Sequence, residues 1–263
     1  MRNEIGIFYW YGYFQPLRIR LEEIKRSGFD GVMLWWEDEM GEEPEKIGRI
    51  PAVVRESGLK VFNVHMAGLD SDELWQPSQS RRQDYVKRVC QTIEEMADAD
   101  LHQLVMHLCE RGDIPDPPKE LLYSMEEILP YAEANQTVLA IENTWRDDYL
   151  DLVFQEFPSK EVGFCYDTSH AQLRSHQGLL DRWGRLLCAD HLSDNDRVED
   201  RHWLPFDGEI DFDPLLLRMA PADMPYTLEV IANKELYPKS AGFLQTAHER
   251  ALRLQQRVKE LES

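Results

Sequence analysis

The feature that most limits the fold of this chain is an alternation that recurs eight times. Each unit begins with a short apolar run, continues through a polar turn, and ends in a stretch with helical periodicity. In the first unit, residues 4–10 (EIGIFYW) precede Leu17, Leu21 and Ile24, which are spaced i, i+4 and i+7. This spacing predicts a strand followed by a helix that packs one apolar face on the sheet.

Seven further apolar runs follow the same plan, each before a polar turn and a predicted helix. They are GVMLWW (31–36), LKVFNVH (59–65), HQLVMHL (102–108), TVLAIE (137–142), VGFCYD (162–167), RLLCADH (185–191) and YTLEV (226–230). The predicted helices cover residues 16–27, 44–57, from about 80, 119–135, 149–157, a short segment after His170, 214–219 and 240–261.

Eight strand–helix units in a chain of this length predict an α/β fold, a single (β/α)8 TIM barrel that forms one domain over residues 1–263. A doubly wound open sheet is the alternative. Such a sheet usually has a glycine-rich first turn, and the turn here, GYFQP (12–16), is not of that type.

Composition places the chain among cytoplasmic globular proteins. It is 43% hydrophobic, which allows a large core, and its four cysteines contain no CxxC pair. Reduced, buried thiols are the simplest interpretation of that spacing. No segment has the apolar length of a membrane span, and residues 5–14 (IGIFYWYGYF) are interpreted as a first strand rather than a signal peptide.

The formal net charge of −20 weighs against a general nucleic-acid-binding protein, because such a surface repels phosphate backbones. The formal value leaves out bound metal ions, which can reverse the sign inside a cleft. We therefore expect a small-molecule partner, with nucleic acid disfavoured, no membrane association and the oligomeric state left open.

Polar side chains stand where the predicted strands end, which is the face of a barrel that carries its chemistry. One such residue is more often a loop anchor, but a buried set of carboxylates and imidazoles around one axis would be costly without a cation. The absence of thiolates favours Mn, Co, Zn or Fe. Three histidines outside this set receive no role: His102, His176 and His248. The set comprises Glu37, His65, His107, Glu142, Asp167, His170, His191 and Glu229, with Asp200 and His202 in the seventh loop.

Three motifs in this set resemble a known family. They are IENT (141–144), DTSH (167–170) and HLSDNDRVEDRHWLPFDGEID (191–211). Together they resemble the xylose isomerase-like barrel superfamily, which includes sugar phosphate isomerases and epimerases, the inosose isomerase/dehydratase group, and endonuclease IV of AP endonuclease family 2. The long motif after the seventh strand is the most specific of the three.

The resemblance implies two ligand sets. By similarity to the sugar epimerases, one divalent metal, Mn, Co or Zn, is held by Glu142, Asp167, His191 and Glu229. By similarity to endonuclease IV, more than one Zn is held when further positions take part. Those additional metal positions are His65, His107, His170, Asp200 and His202.

Two reactions follow from these ligands. The first is isomerisation or epimerisation of a sugar, sugar phosphate or cyclitol, with Glu142 and Glu229 exchanging the carbon-bound proton and His170 binding a hydroxyl. The second is hydrolysis of an abasic-site phosphodiester by a zinc cluster. A non-catalytic barrel that binds metal and sugar is a third interpretation.

The acidic loops after the third and fourth strands favour the first reaction, because a DNA-binding groove needs Lys and Arg. The segment NTWRDD (143–148) departs from the epimerases, which carry a longer acidic side chain there, so the substrate stays open. Five residues near the strand ends are candidates for substrate binding: Arg201, Trp10, Trp36, Glu37 and Trp145.

Overall fold

A computed structural model describes residues 4–40, 43–114, 116–174 and 178–262. Within these residues, eight parallel strands form one sheet, so the predicted TIM barrel is confirmed. His176 lies outside the described residues. The strands are β1 (Ile5–Phe8), β2 (Gly31–Trp35), β3 (Lys60–His65), β4 (Gln103–Met106), β5 (Val138–Glu142), β6 (Val162–Asp167), β7 (Leu187–His191) and β8 (Tyr226–Leu228).

Strands β7 and β8, which close the barrel, share fewer backbone contacts than the other pairs of neighbouring strands. Strand pairing runs from β7 through β1 to β8, and β7 and β8 meet through a single parallel bridge between Leu192 and Leu228. Asp190 adds to this seam, because its carboxylate accepts a hydrogen bond of 2.7 Å from the backbone N–H of Thr227. A side chain thus replaces a ladder bond at the place where the sheet closes.

Helices alternate with the strands. The largest differences from the sequence predictions concern the second and sixth helices, and one further short helix, Leu179–Trp183, follows the sixth. The second predicted helix begins at Ile50 rather than Pro44, because residue 45 forms a bridge with Glu39 and Pro51 suits a first helical turn. The sixth begins at Thr168, so His170 lies inside it. The helices are α1 (Leu17–Arg26), α2 (Ile50–Glu56), α3 (Gln79–Asp98), α4 (Lys119–Ala134), α5 (Asp147–Glu156), α6 (Thr168–Arg174), α7 (Leu179–Trp183), α8 (Phe212–Met219) and α9 (Ser240–Leu261).

Small side chains line the interior of the barrel beneath the strand ends. Val105, Ala140, Cys165 and Ala189 form one buried cluster. Each lies two residues before a polar strand-end residue, and side chains two apart share a face of a strand. The alternation therefore aims His107, Glu142, Asp167 and His191 along the barrel axis rather than toward the helices.

Further round the barrel, two glycines make room for one aromatic ring. A Cβ atom on Gly6 would approach the Phe62 ring to 2.5 Å, and one on Gly31 would approach it to 2.7 Å. Phe62 thus lies across β1 and β2, and any side chain at either glycine would displace it.

The four cysteines are free thiols, and three of them are buried. Within the described residues, no helix combines the length and the apolar character needed to cross a bilayer.

Candidate metal centre and active site

Four polar side chains leave consecutive strands and converge at the top of the barrel. Glu142 ends β5, Asp167 ends β6, His191 ends β7 and Glu229 directly follows β8. Each offers one potential ligand atom, and these atoms all lie within 4.8 Å of one another. The sequence predicted that these four would come together, and the structure brings them together; their role as metal ligands stays a prediction.

The four side chains are buried, and several of their polar atoms lack partners. Relative exposure is 1% for Glu142, 0% for Asp167 and His191, and 8% for Glu229. Oε1 of Glu142, Oδ2 of Asp167 and both ring nitrogens of His191 have no hydrogen-bond partner of good geometry among the described residues. Unpaired buried carboxylates are costly. A divalent cation bound by two or three carboxylates and an imidazole would satisfy these atoms, so the residues fit such an ion.

A second group of donors surrounds the same glutamate. His65 and His107 lie with their Nε2 atoms 3.3 Å apart and 3.3 and 3.4 Å, respectively, from Oε2 of Glu142. Nδ1 of His65 faces the backbone oxygen of Met66 at 2.9 Å, and Nδ1 of His107 faces the Glu110 carboxylate at 3.2 Å. If both Nδ1 atoms carry the proton, the two Nε2 lone pairs face each other, and a cation between them would relieve the repulsion.

A third group repeats this pattern around Asp200. Nε2 of His170 lies 3.1 Å from Oδ2 of Asp200, and Nε2 of His202 lies 3.3 Å from the same oxygen. Nδ1 of His170 faces the backbone oxygen of Asn143 at 3.0 Å, while Nδ1 of His202 faces that of Glu229 at 3.1 Å. Backbone carbonyls therefore orient both rings, as they do for metal-binding histidines.

The long loop after β7 owes its shape to Asp194. The Asp194 carboxylate accepts hydrogen bonds of 3.0 Å from the backbone N–H groups of Phe206, Gly208 and Ile210. Gly208 is required there, because a Cβ atom would lie 2.2 Å from the backbone oxygen of Asn195. This anchoring holds the loop over the strand ends and places its two metal-capable residues, Asp200 and His202, at the cavity.

The carboxylates dominate the electrostatics of the site. Burial opposes a charge on His107, yet the Glu142 and Glu110 carboxylates prevail and raise the pKa of His107 to about 10. Burial raises the pKa of Asp167 to about 7, against the opposing effect of His170. The centre therefore attracts positive charge, either as protons on imidazoles or as a metal ion that displaces them.

Most of these groups, though not Asp167 and His191, line a cavity of about 360 Å3, a volume typical of small-molecule sites. Its polar floor holds His65, His107, Glu142 and His170. Its apolar walls hold Phe8, Trp35, Leu69, Trp145 and Ile231.

Of the five predicted substrate contacts, only Trp145 lines this cavity. Trp10 instead packs against Phe14 and the Arg20 guanidinium. The Arg201 guanidinium forms surface ion pairs of 2.9 Å with Asp196 and 2.5 Å with Glu199, so acidic neighbours in its own loop already neutralise it. Those two predicted substrate contacts are not supported.

Two more predicted contacts, Trp36 and Glu37, do not line this cavity. Trp35 stacks on His65 with ring centroids 4.9 Å apart and lines the cavity, whereas Trp36 points toward α3, where its indole N–H donates to Glu95 at 3.0 Å. Glu37 has the parity of Trp35 but does not line the cavity; its carboxylate accepts a 3.3 Å hydrogen bond from the indole N–H of Trp35. Successive side chains on a strand face opposite sides, so neighbouring tryptophans cannot share a role.

Sequence reasoning missed two charged residues of the cavity, Glu110 and Arg174. Glu110 lies in the loop after β4 and accepts a 2.6 Å hydrogen bond from Ser71 while it contacts His107. Its spacing of i, i+3 from His107 was the available signal. Arg174 ends α6 one turn after His170, which is also a local spacing.

A matched pair of substitutions tests which of the two neighbouring tryptophan side chains faces the cavity. Trp36→Phe should lower the free energy of unfolding by about 1–2 kcal/mol, because it removes a hydrogen bond to a charged group, and should leave sugar affinity unchanged. Trp35→Phe should weaken sugar affinity by about 3- to 10-fold with little effect on stability. Urea unfolding and calorimetric titration measure both; the reverse pattern would contradict the assignment.

Comparisons with known proteins agree with this architecture. The family model described as "Xylose isomerase-like TIM barrel" matches residues 21–247. The uncharacterized protein y4fM of Sinorhizobium fredii is 25% identical, and the alignment covers 95% of this chain and 91% of that protein.

Solved structures share the fold at low identity. A xylose isomerase-like TIM barrel/4-hydroxyphenylpyruvate dioxygenase fusion protein has a TM-score of 0.81 at 16% identity; the match covers 100% of this chain but spans 44% of the fusion protein. An L-ribulose 3-epimerase has a TM-score of 0.76 at 16% identity, with 100% and 98% of the two chains covered.

A D-psicose 3-epimerase from Clostridium cellulolyticum H10, solved with D-tagatose, has a TM-score of 0.77 at 15% identity, with 98% and 99% covered. At such identities the structures show a common fold and leave the substrate open. The family model, by contrast, covers most of the sequence itself. The chain therefore belongs to the xylose isomerase-like TIM barrel family.

Proposed function

We propose that this protein is a divalent-metal-dependent isomerase or epimerase that acts on a sugar or cyclitol. The observation that carries the proposal is the convergence of Glu142, Asp167, His191 and Glu229 within 4.8 Å, with buried ligand atoms that have no hydrogen-bond partner of good geometry among the described residues. We propose Mn, Co or Zn as the ion, since the donors are carboxylates and an imidazole.

The two glutamates would move the proton. Oε2 of Glu142, which ends β5, and Oε2 of Glu229, which follows β8, both lie 3.1 Å from Nδ1 of His191. One carboxylate would take the proton from the reacting carbon, and the other would return it. The bound ion would supply Lewis acidity to adjacent carbonyl and hydroxyl oxygens, which makes the carbon-bound proton more acidic.

Histidines and aromatic rings would complete the binding of the substrate. His170 is held by Asn143 and Asp200 and lies 3.1 Å from Oε1 of Glu142, which suits it to bind a substrate hydroxyl beside the proton-transfer group. Trp35 would cover the apolar face of a sugar ring, and Trp145 would help to exclude water.

Exchange with solvent tests this reaction class. Metal-loaded protein incubated in D2O with a panel of ketoses, sugar phosphates and inososes should introduce deuterium at the carbon that loses its proton. Chelator-treated protein should not do so, because the ion acidifies that proton. Mass spectrometry of the sugars measures the exchange. Absence of exchange from every sugar in the panel would count against the proposal.

A three-zinc phosphodiesterase is a second candidate, and a specific observation favours it. The donor groups around Glu142 and Asp200 supply His65, His107, His170 and His202, which is more than a single ion requires. In that case the ions would supply Lewis acidity for attack of water on a phosphodiester. The net charge of −20 argues against a DNA duplex as the substrate.

Elemental analysis separates the two candidates. About one metal per chain supports the isomerase, and about three zinc ions support the phosphodiesterase. Cleavage of an abasic-site duplex by the zinc-loaded protein, without deuterium exchange into any sugar, would decide for the second candidate.

A further inference from the structure

One basic side chain in the cavity differs from the other arginines of the site region. Arg174 is the single Lys or Arg among the described residues that line the cavity. Its Nε atom is buried without a hydrogen-bond partner among those residues. By contrast, Arg146 is bound by Asp148 and by Asp116 at 3.0 Å. In a chain with 49 acidic and 29 basic residues, a partly buried arginine that forms no ion pair among the described residues is unexpected, although the Asp200 carboxylate acts on it from beyond ion-pair distance.

The Arg174 guanidinium is held flat against an aromatic platform. Its central carbon lies 3.2 Å from the centroid of the Trp145 ring. The same indole is close to Gly112, where a Cβ atom would approach the ring to 2.6 Å. The missing side chain at Gly112 therefore leaves room for the Trp145 ring. Stacking fixes the plane of the guanidinium and leaves its N–H edge for a ligand.

The position of Arg174 on α6 relates its guanidinium to the reaction centre. His170 and Arg174 are spaced i, i+4, so both side chains lie on one face of the helix, about 6 Å apart along its axis. That distance suits a substrate whose reacting carbons lie near His170 and whose distal substituent reaches Arg174.

We propose that Arg174 binds an anionic oxygen group of the substrate, so that the preferred substrate is a phosphorylated or carboxylated sugar rather than a neutral one. This inference deepens the proposed function, since it names the substrate class of the same cavity. The planar guanidinium fork can bind either group through two parallel hydrogen bonds, and the charge-assisted geometry favours anions over hydroxyls.

Calorimetric titration of the metal-loaded protein tests the proposal with three probes that share one sugar skeleton: D-fructose, D-fructose 6-phosphate and D-fructuronate. The wild type should bind at least one anionic probe about 10- to 100-fold more tightly than D-fructose. Arg174→Gln should abolish this preference, and Arg174→Lys should retain part of it. The anionic probe that binds more tightly shows whether the preferred anion is a phosphate or a carboxylate.

Arg257→Gln is the matched control, because that half-buried arginine of α9 pairs with Asp213 and Glu260, does not line the cavity and should leave the preference intact. Any affinity of the metal itself for anions is common to all variants, so the change in preference isolates Arg174. Circular dichroism melting establishes that each variant is folded.

Two outcomes would overturn the proposal. One is a preference in Arg174→Gln equal to that of the wild type. The other is a wild type that does not prefer either anionic probe at millimolar concentration. Binding can be measured without turnover, so the two proposals can be rejected independently. Deuterium exchange without a preference for anionic probes would reject the role of Arg174. A preference for anionic probes without deuterium exchange would reject the isomerase.

Discussion

Replacing Glu142 with Gln is expected to lower the rate of deuterium exchange into a sugar substrate by about a thousandfold. The Glu142 carboxylate is 1% exposed and lies 3.1–3.4 Å from the imidazoles of His65, His107, His170 and His191. A carboxamide cannot accept a proton from carbon, and its NH2 group would place donor hydrogens where the site offers an acceptor. Exchange followed by mass spectrometry measures the loss.

Two measurements make this result interpretable. Glu133→Gln changes an exposed carboxylate on α4 in the same way and should retain the wild-type rate. Elemental analysis of Glu142→Gln then separates a lost proton acceptor from a lost metal ligand. If Glu142→Gln retained more than about a tenth of the wild-type rate, the assignment of Glu142 to proton transfer would be wrong.

Addition of Mn2+, Co2+ or Zn2+ to chelator-treated protein is expected to raise the melting temperature by about 10 °C. A ligand at a thousand times its Kd adds about 4 kcal/mol to the free energy of unfolding, and each kcal/mol raises the melting temperature of a chain of this size by about 2–4 °C. The physical reason is that the ion would satisfy the buried oxygens of Glu142 and Asp167 that otherwise have no hydrogen-bond partner of good geometry in the described part of the chain. Differential scanning calorimetry measures the shift.

The Asp167→Asn variant extends this prediction to the metal-free protein, whose melting temperature the substitution should raise. Burial raises the folded-state pKa of Asp167 from 3.8 to about 7, so its ionisation destabilises the metal-free fold. That penalty is absent below pH 4, grows as pH rises from 4 to 7, and is complete above pH 7. The metal-free variant should therefore melt above the metal-free wild type at pH 8, and the difference should shrink toward pH 4.

The same variant should lose most of the stabilisation by metal, because an amide is a weaker ligand than a carboxylate. Its Oδ1 can still accept the 2.6 Å hydrogen bond from the backbone N–H of His170, so α6 should keep its start. A metal-induced shift in Asp167→Asn as large as that of the wild type would exclude Asp167 as a ligand. His248→Gln, in α9 near Gly28, serves as a control that should respond to metal as the wild type does.

Local patterns in the sequence were enough to predict the barrel and the residues at its strand ends. Side chains two apart share a face of a strand, so the polar residues that end VLAIE, VGFCYD and LCADH had to point the same way as Ala140, Cys165 and Ala189 beneath them. Parallel strands then place their carboxyl ends on one rim. For this reason Glu142, Asp167, His191 and Glu229 could be predicted to meet before any distance was known.

Residues whose role depends on contacts between distant segments could not be predicted in this way. Both faces of a barrel strand are apolar, so the sequence did not show that Trp35 faces the cavity and Trp36 faces α3. Arg201 resembled an anion-binding residue until the fold of its own loop paired it with Asp196 and Glu199.

Arg174 shows the opposite case. Its position in the sequence, at the end of a short helix, says nothing about exposure or partners. The tertiary structure alone brings Trp145, which packs by Gly112, beside it and leaves its Nε atom without a hydrogen-bond partner among the described residues. The sequence by itself thus determined which side chains gather at the centre, because strand periodicity is local. The walls of the cavity were decided by loop packing, because that depends on segments far apart in the chain.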